Sequence, residues 1–301
     1  MKVFKTSSIS KKFHNSVVAI GNFDGVHLGH KKIISEGRKI AKKNKISFGI
    51  LSFEPLPLMH FNKNLNNYRL NNIEQKIRIL KKLGVDFCVL QKFNKKFSNY
   101  SYRKFIKDTI HQKLKTKFVL VSNNFKFGKN REGNIYKLKE YEKKYNYKLK
   151  LISPQSFKKK KISSTLIRKY LKKGKIKKAN KLLGRKWSII GKVSKGNKRG
   201  RKIGFKTCNI KIQKYIFPLK GVYAVNVFYK NKLKNGIANF GQRPTFKGKK
   251  PLLEVNIFGF NKNLYKKELE IEFKKFIRKE KKFNNILQLK KQIKMDIKKA
   301  K

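Results

Sequence analysis

Residues 17–30 read VVAIGNFDGVHLGH. An apolar run of β-formers begins at Val17 and ends at Gly21, and a short loop then carries Asp24, Gly25, His27, Gly29 and His30. Beyond it Ile33, Ile34, Gly37, Ile40 and Ala41 recur at helical spacing. The pattern predicts a buried strand, a tight turn and the N-terminus of a helix. Backbone N–H groups and the dipole at such a terminus favour an anion. Two imidazoles three positions apart add donors there, and the glycines let backbone approach a ligand closely. The stretch suits phosphate.

Working outward, Ile46 to Phe53 reads as a second strand that stops at Glu54-Pro55. A loop with Pro55 and Pro57 runs to Asn72, which is placed to cap a helix over 73–83. Strands are expected over 85–90, 118–121 and 149–152, with helices over 102–114 and 135–145 between them. Alternation of this kind predicts an α/β doubly wound parallel sheet, Rossmann-like, whose ligands sit beyond the carboxyl ends of the strands. The 17–30 loop, the turn after Phe53 and the loop after Val121 would share that edge. Ile162 to Arg168, ISSTLIR, sets Ser163, Ser164 and Thr165 ahead of a helix, with Arg168 one turn in. Hydroxyls, exposed N–H groups and a guanidinium make a cap, and equally an anion cradle. One helix is expected over 166–183, ending at Gly184.

From Arg185 the hydrophobic period changes from 3.6 to 2. Short strands are expected after Trp187 and over 209–212, 222–229, 233–240, 252–258 and 269–273, with a turn at Asn231-Lys232. Six such strands and one terminal helix predict an antiparallel β-barrel. The helix, over 284–298, is expected to bury Ile286, Leu289, Ile293 and Ile297. The expected domains are therefore 1–184 and 185–301.

GNFDGVHLGH (21–30) resembles the HxGH nucleotidyltransferase signature in the form found in the bifunctional riboflavin kinase/FMN adenylyltransferase family, the bacterial FAD synthetases. LSFEPLP, SNNFKFG (122–128) and ISSTLIR extend the likeness, with Ser122 where the family usually has Gly. The second half resembles riboflavin kinase through RKIGFKTCNI (201–210), GVYAV, NFGQRPTF and LLEVNIFGF (252–260). It departs at Lys206, where the family has Pro, and at Cys208, where it usually has Ala.

The resemblance implies two ATP-dependent reactions, phosphorylation of riboflavin to FMN and adenylylation of FMN to FAD with release of pyrophosphate. For the second it implies His27 and His30 as catalytic groups and Gly21, Asn22, Phe23, Asp24, Gly25, Ser163, Ser164, Thr165 and Arg168 around the ATP phosphates. Phe53, Asn124, Phe125 and Phe127 are expected near the flavin, although Phe125 and Phe127 could equally be core. For the kinase it implies Glu254 as catalytic base, Thr207 and Asn209 on Mg²⁺, Gly196 and Gly204 at phosphate, and Arg243 and Arg278 near the flavin. A protein with only one live activity, its kinase weakened by Lys206, is the alternative enzyme reading.

The chain of 301 residues carries a formal net charge of +66, with 39% hydrophobic and 12% aromatic residues. That apolar content excludes a disordered polycation and provides for two cores. The charge makes a basic nucleic-acid-binding protein the rival class. Lysine is spread along nearly every segment and far outnumbers arginine, the residue that reads phosphate and base edges bidentately. Coding drift explains this better, and no specific nucleic-acid partner is expected. Cys88 and Cys208 form neither a disulfide framework nor a metal spacing. With no span-length apolar run and no apolar leader, a cytoplasmic protein without a membrane partner is expected.

Overall fold

The computed structural model describes all residues except 158, 195–203, 213, 231 and 246–247, and the backbone alone for 242–245 and 248–250. The chain forms two compact units, Met1–Asn66 with Ile73–Ser163, and Asn67–Asn72 with Ser164–Lys301.

In the first unit, β1 (Lys2–Phe4), β2 (Val17–Ile20), β3 (Phe48–Glu54), β4 (Phe87–Lys92), β5 (Phe118–Ser122) and β6 (Lys148–Ile152) form one sheet in the order β1-β4-β3-β2-β5-β6. Every pairing in it is parallel. All four residues of β2 are buried, as a central strand covered on both faces requires. Helix α1 (Leu28–Lys43) lays Ile34, Gly37 and Ala41 on the sheet, with Ile33 and Ile40 at the margin of the same core. Helix α2 (Ile73–Lys82) covers the same face through Leu80. A two-residue hairpin, β7 (Ser156–Phe157) with β8 (Lys160–Lys161), leads out of the unit.

The departures from expectation are local. Residues 57–61, expected as loop, form a short helix with Pro57 at its start, where a missing N–H costs nothing. The helix expected over 102–114 is α-helical only over Tyr102–Lys104 and continues as a π-helix over Phe105–Lys113. The helix expected over 135–145 stops at Glu140, where the Tyr141 cap N–H turns to the Lys139 carbonyl.

In the second unit, α3 (Ser164–Lys172) and α4 (Ile176–Leu183) replace the single helix expected over 166–183. Gly174, at φ 67°, adopts the left-handed conformation that ends a helix, and Gly184 at φ 62° ends the next. Strands β9 (Trp187–Ser194), β10 (Cys208–Lys211), β11 (Gly221–Tyr229), β12 (Lys232–Thr245), β13 (Gly248–Ile257) and β14 (Glu268–Arg278) close a barrel in the order β10-β13-β12-β11-β14-β9. Its pairings are antiparallel. The stretch read as a turn, NFGQRPTF, continues β12 through Thr245, with Arg243 opposite Lys250. The expected turn at Asn231-Lys232 lies partly outside the described residues, and Tyr229 pairs with Lys232 across it.

Residues 67–72 belong to this unit. Tyr68 N–H and Arg69 N–H donate to the Lys214 carbonyl at 3.2 and 3.0 Å, and Ile216 N–H donates to the Arg69 carbonyl at 2.8 Å. The buried Trp187 indole donates to the Leu70 carbonyl at 2.8 Å.

Helix α5 (Ile286–Ala300) starts at an Asn285 cap. It buries none of the four residues expected: Ile286 is 59% exposed, and Leu289, Ile293 and Ile297 are half-buried. The helix is held by its second half, where Asp296 and Ala300 are buried and Ile297 packs on the barrel core.

Gly37 lets α1 approach Phe48 of the sheet closely. A Cβ there would sit 2.2 Å from the buried Phe48 ring. Alanine gains about 1 kcal/mol of helix propensity, and overpacking of this kind costs about 1–3 kcal/mol. Gly37→Ala should therefore lower stability, read as a lower midpoint of urea unfolding followed by circular dichroism.

Candidate active site

The first site is built at the carboxyl edge of the parallel sheet, where β3, β2 and β5 lie side by side. The turn after β2 is tight. Phe23, Gly25 and Val26 all have positive φ, at 45°, 82° and 37°. Two non-glycine residues in that region store strain. Asp24 and His27 are buried within the turn.

His27 caps α1. Its Nδ1 accepts from the His30 backbone N–H at 3.4 Å. A neutral ring whose Nδ1 accepts must carry its proton on Nε2, which makes that nitrogen a donor. The two imidazoles stack with centroids 3.7 Å apart, and the Phe23 ring lies 4.9 Å from that of His30. A Cβ on Gly29 would come within 3.2 Å of the His27 ring and 3.6 Å of the Ile162 carbonyl. The 162–163 segment thus lies against the histidine turn.

The turn is fastened from below by Lys76 of α2, which is only 1% exposed. Its ammonium donates to the Asn22 carbonyl and to Ser52 Oγ, both at 3.0 Å, and Ser52 Oγ donates to the same carbonyl at 2.9 Å. Burial pushes the Cys88 thiol up to about 11, partly offset by the charge of Lys76.

On the same edge, the Phe53 ring meets Phe93 and Phe97 at 6.0 and 5.9 Å. His60 and the exposed Phe61 continue this aromatic wall against Phe93. Phe125 and Phe127 stack 5.4 Å apart. Phe127 belongs to the core beneath, so Phe125 is the half-exposed member. Asn124 accepts from the Ser122 hydroxyl at 3.0 Å.

Of the hydroxyl run, Ser163 closes the first unit, while Ser164, Thr165 and Arg168 fall in the second. Arg168 is buried with its guanidinium 3.7 Å from the Tyr68 ring centroid, and its Nε donates to the Tyr68 carbonyl at 2.9 Å. Those contacts hold Arg168 against the 67–72 segment.

The second site follows from barrel register. Asn209 on β10 faces Glu254 on β13, which in turn faces Asn239 on β12. Residues directly opposite share a face with Cβ atoms about 5 Å apart. Thr207 lies two positions before Asn209, just ahead of β10. Asn209 is 7% exposed and its Oδ1 has no hydrogen-bond partner, a costly state for a buried acceptor. A hard oxygen donor left open beside a hydroxyl and a carboxylate fits a divalent cation such as Mg²⁺. Cys208 points away from such chemistry, since burial pushes its thiol up to about 12.

Thr207 also lines a cavity of about 350 Å³ with Lys206, Ile257, Phe260, Asn261 and Tyr265 among its walls. Gly204 needs its glycine, at φ 87°. Gly196 lies outside the described residues, and Arg243 is described by backbone alone. Arg278 is no free surface cation. Its Nε and Nη2 bind Asp296 at 2.8–3.1 Å and its Nη1 donates to the Lys279 carbonyl, joining β14 to α5.

A parallel sheet with a histidine turn at its carboxyl edge, followed by a closed antiparallel barrel, suits an ATP-using transferase in two parts. Residues 9–166 match the family model described as FAD synthetase, and residues 183–301 match that described as riboflavin kinase. The bifunctional riboflavin kinase/FMN adenylyltransferase of Buchnera aphidicola subsp. Schizaphis graminum is 45% identical over 302 residues, 99% of this chain and 97% of its own. The Haemophilus influenzae protein of that name is 39% identical, over 94% and 92% of the two chains. A solved structure described as a macrolide-efflux protein from Streptococcus pneumoniae is 30% identical and superposes with a TM-score of 0.88, over 98% of this chain and 97% of that one. The chain belongs to the bifunctional riboflavin kinase/FMN adenylyltransferase family, and its reactions are riboflavin to FMN and FMN to FAD, with ATP as co-substrate. No described helix is long and apolar enough to cross a membrane.

Sequence reasoning missed Lys76, the wall of His60, Phe61 and Phe93, and the cavity residues Ile257 to Tyr265. Lys76 had no signal beyond its place on the inner side of α2. Lys76→Met leaves the buried Ser52 hydroxyl and the Asn22 carbonyl without their cationic donor, at about 1–3 kcal/mol. FAD formation from supplied FMN should fall at least tenfold while FMN formation from riboflavin persists, as measured by resolving both products.

Proposed function

We propose that adenylyl transfer is the work of residues 1–184 and phosphorylation that of residues 185–301, with the following residues in each role. In the first reaction the FMN phosphate attacks the α-phosphorus of ATP in line and pyrophosphate leaves. Such a transfer asks the protein for positioning and charge stabilisation. His27 and His30 donate to the triphosphate at the start of α1, where the helix dipole favours an anion. The capping bond to His27 Nδ1 supports this reading, because it makes Nε2 of the neutral ring a donor. Ser163 adds a hydroxyl. Phe125 offers an apolar ring face to the flavin, and Asn124 a polar edge.

In the second reaction Glu254 accepts the proton of the riboflavin 5′-hydroxyl as that oxygen attacks the γ-phosphorus. Thr207 and Asn209 hold Mg²⁺, which when bound supplies charge neutralisation at the phosphates. The cross-strand pairing of Asn209 with Glu254 carries this assignment, since it sets the donor oxygen and the base on one face. The cavity beside Thr207, walled by Ile257, Phe260 and Tyr265, receives the nucleoside of ATP.

A product assay that starts from riboflavin, ATP and magnesium tests both assignments. His30→Ala should stop FAD at least a hundredfold while FMN accumulates. Glu254→Gln should slow FMN formation by about 10²-fold, the scale of a lost general base, and leave adenylylation of supplied FMN intact. Chelation of magnesium with EDTA should silence the kinase, and added Mg²⁺ should restore it.

A further inference from the structure

Lys206 stands where the family has proline, yet the structure gives it two fastenings. Its backbone carbonyl accepts from Asn256 Nδ2 at 2.7 Å. Its ammonium donates to Asn261 Oδ1 at 3.2 Å. Asn256 lies on β13, one position past Val255, the last residue that β13 pairs with β10 through Cys208. The asparagine side chain therefore extends that ladder by one rung and fixes the Lys206 main chain without a pyrrolidine ring. Asn261 stands on the far wall of the 350 Å³ cavity that Lys206 and Thr207 also line.

An ammonium has three donors, and the Asn261 contact engages one of them. The side chain is otherwise exposed, so its charge is cheap to keep and free to turn. The cavity has both kinds of lining. Val193, Val255, Ile257, Phe260 and Leu264 give it apolar surface suited to a purine face, and Lys206, Thr207, Asn261, Lys262 and Asn263 give it polar groups. A nucleotide with its base against the apolar surface would present its phosphates to these polar groups, Lys206 among them.

We propose that Lys206 is an ATP-binding residue of the kinase site, its ammonium stationed on Asn261 and passing to the polyphosphate when the nucleotide enters. The proposal rests on the reading that this cavity receives ATP. On it, the departure from proline exchanges a rigid ring for a backbone clamp and a mobile cation.

The test is steady-state FMN formation by the full chain, with adenylylation of supplied FMN as the control for folding. Lys206→Met should raise the KM for ATP about tenfold, with a much smaller change in kcat, and Lys206→Arg should largely restore it. The competitive inhibition constants of ADP and adenosine against ATP separate charge from shape. Lys206→Met should weaken ADP severalfold and leave adenosine within twofold. Equal weakening of ADP and adenosine, or an unchanged KM for ATP, would overturn the role of Lys206. The cavity itself is tested by Ile257→Trp, which should weaken adenosine and ADP alike. Should Ile257→Trp leave both unchanged, the nucleoside reading of the cavity fails, whatever Lys206→Met does.

Discussion

An ammonium group almost sealed from water governs the working edge of the first unit. Lys76 lies beneath the turn after β2, and a charge in that position must find oxygen partners or lose its proton. It finds the Asn22 carbonyl and the Ser52 hydroxyl. These belong to adjacent strand ends, so one cation fixes the spacing of two loops that would otherwise be joined only by the sheet. The strained backbone from Phe23 to Val26 persists because both of its ends are held, by β2 on one side and by α1 on the other. His27 then has little freedom. Its backbone is a helix cap, its Nδ1 is engaged, and Gly29 leaves just enough room for its ring.

The second unit reaches a comparable result by a different device. Closing six antiparallel strands removes free edges and fixes every register, because a slip of one residue would turn each side chain to the wrong face. The Asn209–Glu254–Asn239 row is a product of that closure. No local motif would have set those three residues abreast. What looks in sequence like separate short likenesses in β10, β12 and β13 becomes one surface once the strands are paired.

Much of this was legible in the sequence, for identifiable reasons. Val17 to Ile20, the helix after it and most barrel strands announce themselves because long, one-sided hydrophobic patterns leave little choice of structure. β1 is three residues long and carries no period to read. The π-helix over Phe105–Lys113 has the apolar spacing of an α-helix to within what nine residues can distinguish. Gly174 could have been a tolerated glycine within a helix, and only its left-handed φ shows that it is a stop. Ile286 looked buried by spacing, but α5 is anchored by the Asp296–Arg278 ion pair at its other end, and that pair is tertiary information. The same holds for Arg168 and Arg278. Sequence alone does not reveal that Tyr68 packs on the one or that Asp296 pairs with the other.

Residues 67–72 have a consequence for how this enzyme can be dissected. They sit in the middle of the chain's first half, yet they supply a β-bridge to Tyr215 and the acceptor for the Trp187 indole. No single scission of the polypeptide yields both units whole. A fragment beginning at Arg185 carries every barrel strand but leaves a buried indole N–H with nothing to receive it, a debt of the size that decides whether a marginal fold survives. A fragment meant to keep the hydrogen bonds of the barrel unit has to carry residues 67–72 along with 164–301.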